Sequence, residues 1–227
     1  MLRIYIFRVC KGENRAEHPR ANAGAPLAYF QKKAESESGE RRELTLLEGE
    51  LLSFAMAREN TSAKPSDSLE KGKFGKLRFA KSGENEPKTE FSFSHSGEVL
   101  ALSISENGAV GIDVEENKSE YSTGVEEKFL SGFYPEYSYV NAEIYEVYRD
   151  GEGLSCAPID GALPPSGDAD FFSRWTAMEA LLKMQGEGLS AYKRAREIME
   201  VADLFAFECE VGEKSYTVTV AREKQTT

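Results

Sequence analysis

Cysteine is scarce: Cys10, Cys156 and Cys209 are the only three in 227 residues. They are widely spaced, odd in number and include no CxxC pair, which argues against a disulfide framework or a zinc site and makes a reducing cytoplasm the natural compartment. Long apolar runs are missing too. The opening segment MLRIYIFRV is apolar but short and interrupted by Arg3 and Arg8, so its alternation suits a strand better than a signal peptide or a membrane span. Histidine occurs twice and a GxSxG elbow not at all, which makes a Ser-His-Asp hydrolase a poor reading. Positive charge is outnumbered, with 28 Lys and Arg against 39 Asp and Glu and a net charge of −11. That balance disfavours non-specific nucleic-acid binding, which runs on phosphate neutralisation. An anionic substrate would need a local basic patch, and Lys71, Lys73, Lys76, Arg78 and Lys81 supply one; alone, that run is equally a solvated loop.

A chain of this length buries a core without disulfides or structural metals, as one large domain or two small fused ones. Residues 1–9 read as a strand. Residues 42–58 read as an amphipathic helix, with Leu44, Leu47, Leu51 and Phe54 recurring at three- and four-residue spacing. Residues 60–72, with Pro65, read as a loop. The period then falls to two. FSFSHS (91–96), VLALSIS (99–105) and AVGIDVE (109–115) alternate, with Ser-Gly-Glu and then Asn107-Gly108 as turn signals, so three antiparallel strands joined by tight turns is the simplest expectation. Residues 123–134 suit a helix with Val125, Phe129 and Leu130 inward. The Gly- and Pro-rich stretch 149–169 reads as a loop or insertion. SRWTAMEALLKMQ (173–185) suits a helix capped by Ser173 and ended by Gly186 and Gly188, and 203–211 with 215–222 suits a closing hairpin turning at Gly-Glu-Lys.

The GIDVE run carries the first chemistry. Alternation puts Val110, Ile112 and Val114 on one face and Gly111, Asp113 and Glu115 on the other. Two neighbouring carboxylates repel unless a cation or water lies between them, and a hard divalent cation wants oxygen ligands. Taken alone, the pattern is more often that of a half-exposed acidic strand. In WTAMEALLK, Trp175, Glu179 and Lys183 share one helix face; the last two alone would be a surface ion pair worth about 0.3–0.5 kcal/mol. His95 lies at the end of a Phe/Ser strand, flanked by the hydroxyls of Ser94 and Ser96, of the kind that hold phosphate oxygens.

In combination these runs become specific. FSFSHSG, then VGIDVE, then WTAMEALLKMQGEGL resembles the 4′-phosphopantetheinyl transferases, in the larger, monomeric, surfactin-synthetase-activating class. That family has an S-H-S-G strand, a G-I-D-x-E strand, and a helix W-[ST]-x-K-E-[SA]-x-x-K followed by G-[KEQ]-G-L. FGKL (74–77) resembles its upstream G-K-P motif. The likeness is closest over residues 91–115 and 173–190.

The resemblance implies an α+β fold of two pseudo-symmetric halves, each an antiparallel sheet with packed helices. Residues 1–108 would form an N-terminal half with the coenzyme A phosphate contacts. Residues 109–227 would carry the metal-binding carboxylates and carrier-protein docking, with a loop insertion at about 149–169. It implies Asp113, Glu115 and Glu179 as ligands of Mg²⁺, with Mn²⁺ as the alternative, and Glu179 and Asp113 as catalytic, Glu179 also serving as general base. His95 and Ser94 would contact coenzyme A phosphate, Lys76 and Lys183 would hold phosphates, and Lys32 and Thr45 fall where the nucleotide end is contacted. The implied reaction moves 4′-phosphopantetheine from coenzyme A to a serine of an acyl or peptidyl carrier protein, releasing 3′,5′-ADP. A monomer suffices, with no nucleic acid or membrane involved, and docking falls near Phe129 and Phe133. Met178 and Leu77 depart from the family's lysine and proline. They support the alternative of a coenzyme A-binding member without transferase activity. A metal-dependent phosphodiesterase would use the same carboxylates but leaves the S-H-S-G strand unexplained.

Overall fold

The computed structural model describes residues 2–9, 25–59, 61–64, 68–80, 88–118, 123–138, 142–150, 153–159 and 170–225. Cys10, Pro65, Lys81 and residues 160–169 of the expected loop lie outside these. In chain order the elements are β1 (Leu2–Arg8), α1 (Ala25–Ala34), α2 (Gly39–Arg58), β2 (Leu69–Lys71), β3 (Leu77–Phe79), β4 (Glu90–Ser96), β5 (Val99–Ser105), β6 (Val110–Glu116), α3 (Thr123–Val125, continued by a π-turn Glu126–Leu130), β7 (Ala142–Asp150), β8 (Gly153–Pro158), α4 (Phe171–Gln185), a 3₁₀ turn (Leu189–Arg194), α5 (Ala195–Glu200), β9 (Ala202–Val211) and β10 (Lys214–Glu223).

The fold is α+β. A five-stranded sheet runs β4-β5-β1-β7-β8 and a three-stranded sheet runs β6-β10-β9. β1 sits at the centre because both its faces are apolar. Leu2, Ile4 and Ile6 pack towards Ile112, Val114, Phe207 and Val218 of the second sheet. Tyr5 and Phe7 pack on the other side with Phe30 of α1 and Leu51, Leu52 and Ala55 of α2. On the outer face of the three-stranded sheet, Ala177, Leu181 and Met184 of α4 pack with Leu204 and Ala221. The layers are therefore helices, sheet, sheet, helices, each sheet burying one face on the other and one on its helices.

Several expectations change. β4 and β5 pair antiparallel across the turn at Gly97, which has φ 55°. β6 does not follow them. The second edge of β5 is taken by β1, from Leu2↔Ser105 to Arg8↔Val99, and a strand has only two edges. The chain after Asn107-Gly108 therefore crosses to the second sheet, where β6 pairs with β10. The first sheet is mixed rather than antiparallel, since β7 runs parallel to β1. Arg149 and Asp150, at the end of β7, and Gly153–Pro158, which is β8, are not loop but paired antiparallel strands, and Leu69–Lys71 pairs antiparallel with β3; residues 151 and 152 lie outside the described residues. The helix expected over 123–134 is a single short helical segment. Arg174, 8% exposed, holds that segment on α4 by donating to the Phe133 and Leu130 carbonyls and to Glu126 Oε1 at 2.7 Å. α4 begins two residues earlier than Ser173, because Asp170 is the cap and accepts from the Ser173 N–H at 2.8 Å. Gly186 (φ 71°) ends it in the left-handed conformation.

No helix among the described residues is long and apolar enough to cross a membrane.

Candidate functional site

The two sheets meet along a seam of serines. In β4 the alternation turns Ser92, Ser94 and Ser96 towards β6. Their hydroxyls accept from the N–H groups of Ile112 (3.3 Å), Val114 (3.3 Å) and Glu116 (3.1 Å). The edge of β6 that β10 does not pair is thereby satisfied by side chains rather than by a strand. The same hydroxyls reach the carboxylates of β6: Ser94 Oγ donates to Asp113 Oδ1 and Ser96 Oγ to Glu115 Oε2, both at 2.9 Å.

Helix α4 approaches β6 through Gly111. A Cβ there would stand 2.1 Å from the Ala180 carbonyl oxygen and 2.4 Å from the Met184 nitrogen, so only glycine admits this backbone approach. The approach brings Glu179 and Lys183 over Asp113. Lys183 Nζ donates to Asp113 Oδ1 at 2.6 Å and to Ser94 Oγ at 2.9 Å, and lies 4.0 Å from Glu179 Oε2. Asp113 is 3% exposed, and its other oxygen, Oδ2, has no hydrogen-bond partner among the described residues. Glu179 is pushed up to about 7 by burial and by Asp113, against the pull of Lys183, with a further push from Glu115. Glu115 is raised by burial and by Asp113. The three carboxylates thus feel one another's charge.

Beside this cluster lies a cavity of about 410 Å³. Lys33, Arg41, Lys71, Lys76 and Lys183 bring positive charge to it. Tyr29, Phe74, Phe91 and Phe93 form aromatic walls, and Glu48 and Glu187 are its acidic members. Its β4 wall is made by Phe91 and Phe93, which face opposite to the serines, together with Ser92. Glu48 is 9% exposed and raised by burial, with Lys33 3.4 Å away. Lys183 belongs both to the cavity lining and to the carboxylate cluster.

The expected site residues fall into groups. Asp113, Glu115, Glu179, Lys183 and Ser94 come together. Ser94 is a bridge inside the protein, its hydroxyl donating to Asp113 and accepting from Val114 and Lys183. Lys76 lines the cavity, but its ammonium donates to the carbonyls of Val110 (3.0 Å) and Met184 (2.9 Å), tying the start of β6 to the end of α4. Burial lowers the Lys76 ammonium, partly offset by Glu90. His95 is exposed. Its imidazole is lowered by desolvation, then by Arg41 and Lys183, with Asp113 acting the other way. Lys32 is exposed and does not line the cavity; its neighbour Lys33 does. Thr45 is fully buried on α2 and is not part of the lining either. Phe133 is buried, whereas Phe129 is half-buried edge-on against Trp175, their ring centroids 5.9 Å apart. Tyr29, Lys33, Arg41 and Glu48 were missed by sequence reasoning. The only signal available was their place on the cavity side of α1 and α2, which needs the fold to be seen.

The donor set suits a hard divalent cation: three carboxylates, one with a buried oxygen lacking a partner. Among the described residues no three His, Cys, Asp or Glu side chains are already gathered as a ligand shell. In this arrangement it is the Lys183 ammonium that meets the charge of Asp113.

No protein-family model matches the chain, and no curated protein matches it either.

Proposed function

We propose that the chain transfers 4′-phosphopantetheine from coenzyme A to a serine of an acyl or peptidyl carrier protein. One observation carries the reading: a basic, aromatic-walled cavity and a three-carboxylate cluster share Lys183, which joins a place for a nucleotide's phosphates to a place for chemistry on them. The resemblance of the S-H-S-G, G-I-D-V-E and W-T-A-M-E-A-L-L-K runs supports the same reaction.

Asp113, Glu115 and Glu179 would hold Mg²⁺ or Mn²⁺, which when bound supplies charge neutralisation on the pyrophosphate. Lys33, Arg41 and Lys183 orient the phosphates from the cavity side. Glu179 is the proton acceptor for the carrier serine. The serine oxygen forms a bond to the pantetheine-bearing phosphorus. The P–O bond to the nucleotide breaks, its electron pair leaves with 3′,5′-ADP, and the serine proton passes to Glu179. One chain supplies every group in this scheme, so a monomer suffices.

A binding-only protein is less well supported. Of its two supports, Met178 is completely buried in the core cluster around α4, so that departure from the family pattern lies away from the cavity, whereas Leu77 lines the cavity. The deciding experiment is mass spectrometry of an apo carrier protein incubated with this chain, coenzyme A and Mg²⁺. A mass gain equal to the pantetheine arm is expected, and it should be lost with Asp113→Asn. Coenzyme A binding without transfer to any carrier of several types would favour the binding-only protein.

A further inference from the structure

We infer that Lys183 is an exchangeable counter-cation: it neutralises Asp113 until a divalent cation takes its place, and the freed ammonium then turns to a phosphate in the cavity. The inference rests on the function proposed above for the metal and the phosphate, but its geometry is independent of any carrier protein.

Lys183 has two environments within reach of one stem. Its ammonium sits 2.6 Å from Asp113 Oδ1 and 2.9 Å from Ser94 Oγ, while the side chain also lines the basic cavity. Asp113 is used unevenly. Oδ1 accepts from both Lys183 and Ser94, whereas Oδ2 is buried and accepts from nothing. A carboxylate 3% exposed needs a cation close by, and a flexible lysine stem brings one that can leave again. The anchor points do not need to move. α4 is fixed on β6 through Gly111, and Lys76 ties the Met184 carbonyl to the start of β6, so the mobile part is the Lys183 side chain, 29% exposed.

Two other cations of the cavity are held differently. Lys33 faces Glu48 at 3.4 Å and Arg41 faces Glu37 at 3.5 Å, so each has a carboxylate outside the β6 cluster. Lys183 alone among these three is paired with Asp113. Metal and ammonium therefore compete for one carboxylate, and a phosphate that welcomes the released ammonium favours the metal. The two bindings are linked reciprocally.

The test is calorimetric titration of Mn²⁺ into the metal-free protein without coenzyme A. Wild type, Lys183→Met and Lys183→Arg are compared, with thermal unfolding of each as a check on folding. Removing the competing charge should tighten Mn²⁺ binding about tenfold in Lys183→Met. A guanidinium, which grips a carboxylate at two points, should weaken it in Lys183→Arg. In the same two variants, Mn²⁺ should strengthen binding of 3′,5′-ADP less than it does in wild type. Equal or weaker Mn²⁺ affinity in Lys183→Met overturns the exchange while leaving the functional reading intact. If Lys183→Met does not fold, unchanged or tighter binding in Lys183→Arg overturns it instead. Failure of wild type to bind Mn²⁺ at all overturns both.

Discussion

Helix α4 meets β6 backbone to backbone, whereas α1 meets β4 through side chains, Phe30 edge-on to Phe93 with ring centroids 6.0 Å apart, and α1 and α2 border a cavity beside that contact. Both contacts use a glycine, but differently. At Gly111 a Cβ would strike backbone atoms 2.1 and 2.4 Å away, and backbone cannot step aside. At Gly49 of α2 a Cβ would meet the Phe30 side chain, nearest at 2.7 Å, on the neighbouring helix. The first contact fixes the spacing of Asp113, Glu179 and Lys183 within narrow limits. The second holds two helices together and leaves about 410 Å³ open beneath them, with Lys33, Arg41 and Tyr29 at its edge. A tight junction suits groups that act on reacting atoms, and an open cavity suits groups that hold a large ligand.

The sharpest way to break this contrast is to place a methyl at each glycine. Gly111→Ala should destabilise the protein by about 3 kcal/mol or more and abolish transfer, because overpacking here has only backbone to push against. Gly49→Ala should cost about 1–3 kcal/mol, since the Phe30 Cβ it would meet moves only with helix α1, and should leave measurable transfer. Thermal unfolding with the carrier-loading assay reads both. Equal losses at the two sites would mean that the junction is no more rigid than the helix pair.

Next comes charge on each side. Asp113→Asn should lower kcat about 100-fold or more, because it removes the carboxylate that Lys183 holds and that the proposed cation would share. Lys33→Ala or Arg41→Ala should instead raise KM for coenzyme A about 3–10-fold with kcat little changed, as loss of uniform binding does. Steady-state kinetics with one carrier protein separates these outcomes. A kcat effect from Lys33 would move the chemistry into the cavity.

A smaller effect concerns pH. Glu179 ordinarily titrates at 4.5 but is raised to about 7 by burial and by Asp113 in the folded, metal-free chain. Between those values the folded state holds a proton that the unfolded state has released. The stability it contributes is complete below about pH 4.5 and is lost as pH rises towards 7. Urea unfolding of metal-free protein should show that slope, and Glu179→Gln should flatten it. The last is Ser92→Ala, which leaves the Ile112 N–H without its partner and should cost about 1–2 kcal/mol in the same unfolding experiment; because Ser92 also lines the cavity, any effect on transfer should fall on KM for coenzyme A rather than on kcat.

Much of the site could be read along the chain. The alternation in GIDVE does turn Val110, Ile112 and Val114 into a core and sets Gly111, Asp113 and Glu115 on the opposite face, towards α4. The spacing of Trp175, Glu179 and Lys183 does place them on one helix stripe, with Trp175 half-buried against Phe129 and Phe171. The serines of FSFSHS were legible as a set on one strand face, but not as a set of acceptors for the amides of β6. Lys33 could not be told from Lys32, because a one-residue difference on α1 decides which ammonium lines the cavity.

Local pattern alone settled where β1, α2, β4, β5, β6, α4, β9 and β10 run and which carboxylates share a face, because side-chain direction follows from covalent geometry within a few residues; it did not find α1 or the β2–β3 and β7–β8 pairs. Tertiary structure decided which sheet β6 joins, what the serine hydroxyls bond and which lysines remain near the cavity. Those outcomes depend on competition between distant segments: β1 reaches the open edge of β5 from the far end of the chain, and the Lys76 ammonium finds its carbonyl partners on β6 and α4.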